Sequence, residues 1–174
     1  MVQEDFLLVD GYNIIHAWDE LKELMQDVSL ESARQKLMDI LSNYKGVRKT
    51  TIILVFDAYL VKGGIGSVSR YHNIYVVYTK EAETADHYIE RVVTSLPKHY
   101  HVRVATTDGL EQVIISGQGA VRMSAKELYQ EIHKVEKELR EQYIENRPPK
   151  NNMLADHLDA EALAWLEALR RAKS

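Results

Sequence analysis

Residues 51–56 read TIILVF, a β-branched and apolar run without alternation. A strand wetted on one face alternates apolar and polar side chains, so an unbroken run of this kind predicts a strand covered on both faces. That places it centrally in a sheet. FLLV at 6–9, IYVVYT at 74–79 and VRVAT at 102–106 supply three further strands. Helical spacing fills the intervals: Leu21, Leu24 and Met25, then Ala33, Leu37, Ile40 and Leu41, recur every three or four residues. Over 83–96, Ala85, Ile89, Val92 and Leu96 fall on one helical face and Glu83, Asp86 and Glu90 on another. The order predicts an α/β sandwich with a largely parallel four-stranded sheet flanked by helices.

The rest of the chain is read from its punctuation. LVKGGIGSVSRYHN at 60–73 has three glycines among basic and polar residues and reads as a mobile loop. Asp108 and Glu111 have capping-box spacing for a helix through Ile115, and Ser124 with Glu127 opens a long helix whose seam is Leu128, Ile132, Val135 and Leu139. Residues 146–152, with Pro148 and Pro149, read as a linker. This divides a domain at 1–145 from a tail at 146–174, whose helix carries Leu158, Ala162, Trp165 and Leu169 on one side for packing back on the domain.

Carboxylates punctuate the same pattern. Asp10 ends FLLVD, Asp57 ends TIILVFD, Glu83 and Asp86 open a helix, and Asp108 follows VRVATT. In an open parallel sheet the carboxyl ends of the strands face one crevice, so acids far apart in sequence converge there. Ionised carboxylates held together repel, and a hard divalent cation, Mg2+ or Mn2+, is the usual remedy. The resulting expectation is a metal-dependent phosphodiesterase.

Each residue also has a plainer reading. Asp10 is costly to bury without a cation or several donors, while an Asp-Gly turn would need neither. Asn13 can bind a phosphate or metal-bound water, or serve as a helix N-cap. Asp57 can cap a turn, Asp86 can complement a helix dipole, and the capping box accounts for Asp108 by itself. Arg122 and Lys126 flank a helix start after Gly117, Gln118 and Gly119, where they can hold a phosphate or lie on a solvated surface.

Composition narrows the function classes. With 174 residues, 45% hydrophobic and 28% charged, the chain is long enough for one globular domain. It has no apolar run of transmembrane length and no basic leader before FLLV, which gives the expectation of a cytoplasmic protein without a membrane partner. Zero cysteines exclude disulfides and thiolate chemistry. The histidines form no HExxH set, and the absence of Walker A, GxGxxG and GxSxG removes support for a nucleotide cofactor or a serine hydrolase. Net charge is −4, yet residues 44–80 hold Lys45, Arg48, Lys49, Lys62, Arg70 and Lys80 against the single acid Asp57. Such a patch can meet phosphates or merely be solvated.

Taken in order, LLVDGYNII, LVFDAYLVKG, YTKEAETAD, VATTDGLEQ and GQGAVRMSAKEL resemble the YacP-like branch of the NYN domain family, relatives of PIN-domain nucleases. The resemblance runs from about Phe6 to about Leu139, and the tail carries no matching motif. It implies a PIN-like three-layer sandwich and a Mg2+- or Mn2+-dependent endoribonuclease of the ribosome-associated kind that cuts mRNA in the decoding A site. By motif it implies Asp10 and Asp86 as catalytic acids, with Asp57 and Asp108 also serving the metal. Asn13, Lys62, Arg70, Arg122 and Lys126 become the expected contacts to RNA or ribosome. Two alternatives accompany this expectation: a binding module without chemistry, and a structure-specific DNA nuclease, since 2′-hydroxyl recognition depends on geometry.

Overall fold

The computed structural model describes residues 5–58, 66–107, 119–145 and 155–172. The elements run β1 (Asp5–Asp10), α1 (Gly11–Ala17), α2 (Asp19–Asp27), α3 (Leu30–Lys45), β2 (Thr51–Phe56), β3 (Ser67–Tyr71), β4 (Ile74–Tyr78), α4 (Ala85–Ser95), β5 (His101–Ala105), β6 (Val121–Met123), α5 (Ala125–Glu145) and α6 (Ala155–Arg171). They form a sheet of order β3-β4-β2-β1-β5-β6, parallel throughout except for β3, which runs antiparallel to β4.

The expected α/β sandwich is present, and its four expected strands are the contiguous parallel centre, β4-β2-β1-β5. The sheet nevertheless has six strands, not four. SVSRY is strand β3 instead of part of the loop, returning into β4 through His72 and Asn73, with His72 at φ 52°. An edge strand exposed along most of its length has no need of an apolar run, so it gives none to read. Strand β6 is equally silent, being three residues of which two are exposed.

Strand periodicity divides the core into two layers. Leu7, Val9, Ile52, Leu54, Phe56, Ile74 and Val76 face α1, α2, α3 and α5. Phe6, Leu8, Ile53, Val55, Tyr75, Val77, Val102 and Val104 face α4 and α6. All four apolar residues expected on the α4 face are buried, as are Leu128, Ile132 and Val135 of the α5 seam. Leu139 is not: at 38% exposure it lies beyond the body. On α6, Ala162, Trp165 and Leu169 pack against the second layer, around a fully buried Leu166.

Candidate active site

The same alternation aims the acids. Val9 and Phe56 point into the first layer, so Asp10 and Asp57, one residue further on, are directed toward the layer that contains α4. There Thr84 caps α4 through the His87 amide at 3.2 Å, leaving Asp86 in the first turn. Asp57 Oδ1 accepts the Ala85 amide at 2.7 Å and so pins the start of α4 against the end of β2.

Asp10 is 3% exposed and is the N-cap of α1. Its Oδ1 accepts the Asn13 amide at 3.4 Å and its Oδ2 accepts Asn13 Nδ2 at 2.6 Å. The cap is therefore Asp10, and Asn13 is the third residue of the helix rather than its cap. Thr107, just past β5, donates to Asn13 Oδ1, so the β1–α1 turn and the end of β5 meet in one polar network. Gly11 is required by close approach: a Cβ there would meet the Phe56 ring, lying 2.9 Å from Cζ and closer still to two other ring carbons.

Asp86 lies close enough to Asp10 for the two carboxyl groups to act on each other. Burial, and then the neighbouring Asp86 charge, raise its pKa from 3.8 to about 7 against the opposing hydrogen bonds from Asn13. Burial raises Asp57 as well, with the Ala85 amide opposing and Asp86 again contributing. Two carboxylates in this relation either share a proton or require a cation. Among the described residues no group of three or more His, Cys, Asp or Glu side chains is arranged to hold a metal. An all-oxygen pair of one buried and one half-buried carboxylate still fits Mg2+ or Mn2+, because Mg2+ commonly takes one or two protein carboxylates and keeps waters for the rest. Asp108 lies outside the described residues.

Glu83 is not part of this pair and does not face away from the core. It is 7% exposed, precedes α4, and forms ion pairs with Arg91 at 2.9 Å and Lys80 at 3.8 Å. The turn that delivers it is fixed by Ala82 at φ 68°, a left-handed conformation uncommon for a residue with a Cβ, and by Thr79 Oγ1, which donates to the Glu83 carbonyl at 2.7 Å. Arg91 Nη1 also reaches the Leu169 carbonyl at 2.8 Å, Tyr88 the Leu166 carbonyl at 3.0 Å, and Lys80 the Ala172 carbonyl at 2.6 Å. Glu83 thus belongs to a clasp between the Asp86-bearing helix and α6.

The expected RNA contacts are dispersed. Arg70 pairs with Tyr75 near the start of β4, several residues from the carboxyl edge where the acids lie. Arg122 is on the opposite sheet edge and Lys126 at the start of α5, both exposed. Lys62 lies outside the described residues. Sequence reading missed a cation nearer the acids. Arg34 of α3 donates to the Tyr12 hydroxyl at 3.3 Å and lies near enough for its charge to act on the Tyr78 hydroxyl. Its only sequence signal is a charged residue between the core positions Ala33 and Leu37, which any helix surface can show.

A mostly parallel sheet between helical layers, with carboxylates from separate strand ends gathered at one edge, has the PIN-like nuclease fold. The YacP-like NYN domain family matches residues 7–171, and the chain belongs to it. It is 41% identical to "Uncharacterized protein YacP" of Bacillus subtilis over 170 residues, which is 96% of this chain and 97% of that protein. It is also similar to two crystal structures of Rae1 (YacP) from Bacillus subtilis. One matches with TM-score 0.71 and 37% identity, covering 95% of this chain and 90% of that chain. The other, a tryptophan-to-leucine mutant, matches with TM-score 0.71 and 35% identity, covering 94% and 99%.

Proposed function

We propose that the chain is a divalent-metal-dependent endoribonuclease that hydrolyses mRNA in the ribosomal A site. The observation carrying this reading is the buried Asp10 with the Asp86 carboxyl close enough to act on it at the carboxyl edge of the sheet. A binding surface for phosphates gains nothing from acids forced together. Asp10 and Asp86 would hold Mg2+ or Mn2+, with Asp57 and Asp108 supporting them. When bound, the cation supplies a lowered pKa for water and charge stabilisation for a phosphoryl group under attack. Asn13 fixes the Asp10 carboxyl with two hydrogen bonds, and Asp57 holds the first turn of α4, and therefore Asp86, at the end of β2. The mRNA and ribosome as partners follow from the family resemblance, and a cytoplasmic setting suits them. Net charge −4 fits a nuclease directed by its partner, because a weak general grip on phosphates limits indiscriminate binding.

The deciding experiment is cleavage of ribosome-bound message in Mg2+ or Mn2+ by the wild type, Asp10→Asn, Asp86→Asn and the double variant. Each single change is expected to lower the rate by about 100-fold or more, the scale of losing one group that stabilises a transition state. EDTA is expected to abolish cleavage. Undiminished cutting by the double variant would remove the mechanism, and bound ribosomes with no cutting under any metal would leave a binding module.

A further inference from the structure

We propose that Arg34, held by the Tyr12 hydroxyl at one end of an aromatic row that runs to Tyr78, is a phosphate-binding residue of the same site, gripping an RNA phosphodiester beside the acid pair. The inference rests on the ribonuclease reading for its choice of RNA, and on independent geometry for its place. Tyr12 follows Gly11 at the start of α1, Phe56 ends β2 immediately before Asp57, and Tyr78 ends β4. Their rings form a row along the carboxyl edge, Tyr12 to Phe56 at 5.0 Å and Phe56 to Tyr78 at 5.5 Å between centroids. Asp57 lies close enough for its charge to act on the Tyr12 hydroxyl. Arg34 therefore approaches the edge from the α3 side of the sheet, and the acids from the α4 side. A polynucleotide lying across the edge meets both.

The chemistry of Arg34 is unusual for this neighbourhood. Among the described residues it makes no ion pair with a carboxylate, its hydrogen bond goes to the Tyr12 phenol oxygen, and its charge reaches the Tyr78 phenol. Phenols that accept from a guanidinium orient it without neutralising it. Arg has five N–H donors in a planar fork that matches phosphate oxygens, so the Tyr12 contact leaves donors unused. The guanidinium is only partly buried, and a ligand can reach it. A site that gathers carboxylates needs a cation of this kind to admit a polyanion, and the expected cations that are described, Arg70, Arg122 and Lys126, lie at the sheet edges or at the start of α5.

The test is binding of a fluorescein-labelled single-stranded RNA by the wild type, Arg34→Gln, Arg34→Lys and Tyr12→Phe, with Ca2+ replacing Mg2+ to slow turnover. Affinity is followed against salt and each variant's melting temperature is recorded. Arg34→Gln is expected to weaken binding about tenfold and to flatten the log affinity against log salt slope by about 0.7, the value for one lost contact to a single strand. Arg34→Lys keeps the charge and loses the fork, so the slope is retained and affinity falls about threefold. Tyr12→Phe is expected to fall between wild type and Arg34→Gln. A merely structural Arg34 would shift melting and leave the slope alone. Unchanged affinity and slope in Arg34→Gln, wild-type affinity in Arg34→Lys, or no RNA binding by the wild type would each overturn the inference. RNA that is bound normally yet never cut on exchange to Mg2+ or Mn2+ counts against the ribonuclease reading and leaves the phosphate contact standing.

Discussion

Asp10 illustrates how one residue carries both folding and chemistry. As an N-cap it stabilises α1, and as a buried acid beside Asp86 it resists ionisation, with its pKa at about 7 instead of 3.8. Below about pH 4 the residue is protonated in the folded and unfolded chain alike. Between there and about pH 7 the unfolded chain releases the proton while the folded chain keeps it, so stability falls as pH rises. Metal-free protein is therefore expected to melt higher at pH 5 than at pH 8. Asp10→Asn, which can still cap the helix, should flatten that dependence. Because a cation binds the ionised pair, Mg2+ or Mn2+ should raise the melting temperature more at pH 8 than at pH 5, measurable by scanning calorimetry. An equal metal effect at both pH values would contradict this account. Next door, Gly11→Ala must push the new methyl into the Phe56 ring, an overpacking cost of about 1–3 kcal/mol visible in urea unfolding.

At the scale of elements, the clasp between α4 and α6 makes the sharpest prediction. Arg91→Ala would leave Glu83, whose side chain is 3% exposed, without its closest cation, a change expected to cost about 3–5 kcal/mol in urea unfolding. Replacing the pair together, Glu83→Leu with Arg91→Met, should recover much of that loss; a double variant no better than Arg91→Ala would show the loss is not electrostatic. The same region shows what is legible in sequence. The central strands were readable because double-sided burial writes an apolar run, and the apolar face of α4 because helical periodicity writes its spacing. Asp10, Asp57 and Asp86 were readable as neighbours because strand ends share an edge. Glu83 was misplaced because helical spacing was extended two residues too early, through a turn that Ala82 carries in a left-handed conformation. Strand β3 was missed because edge pairing is a matter of backbone and leaves exposed side chains free to vary. Arg34 was invisible for a related reason: its hydrogen-bond partner Tyr12 is 22 residues away, and no local spacing encodes such a meeting.

For the whole molecule, the arrangement separates what holds the body from what meets the substrate. The buried core is two layers on one sheet, with Tyr12 and Phe56 of the aromatic row part of it, while the acids and Arg34 meet its carboxyl edge. Leu166→Ala, which empties a fully buried position under α6, is expected to cost about 2–5 kcal/mol by urea unfolding while leaving RNA affinity near wild type at temperatures well below melting. With net charge −4, the protein should cut ribosome-bound message faster than the same message free in solution; equal rates would remove the case for partner direction. The clasp has one more consequence. Tyr88, Arg91 and Lys80 bind carbonyls of residues 166, 169 and 172, so the start of α4 cannot loosen without releasing α6. Amide hydrogens of the two helices should then exchange with deuterium as one cooperative unit, which places the acid on α4 among the slowly opening parts of the protein and not among its fraying ends.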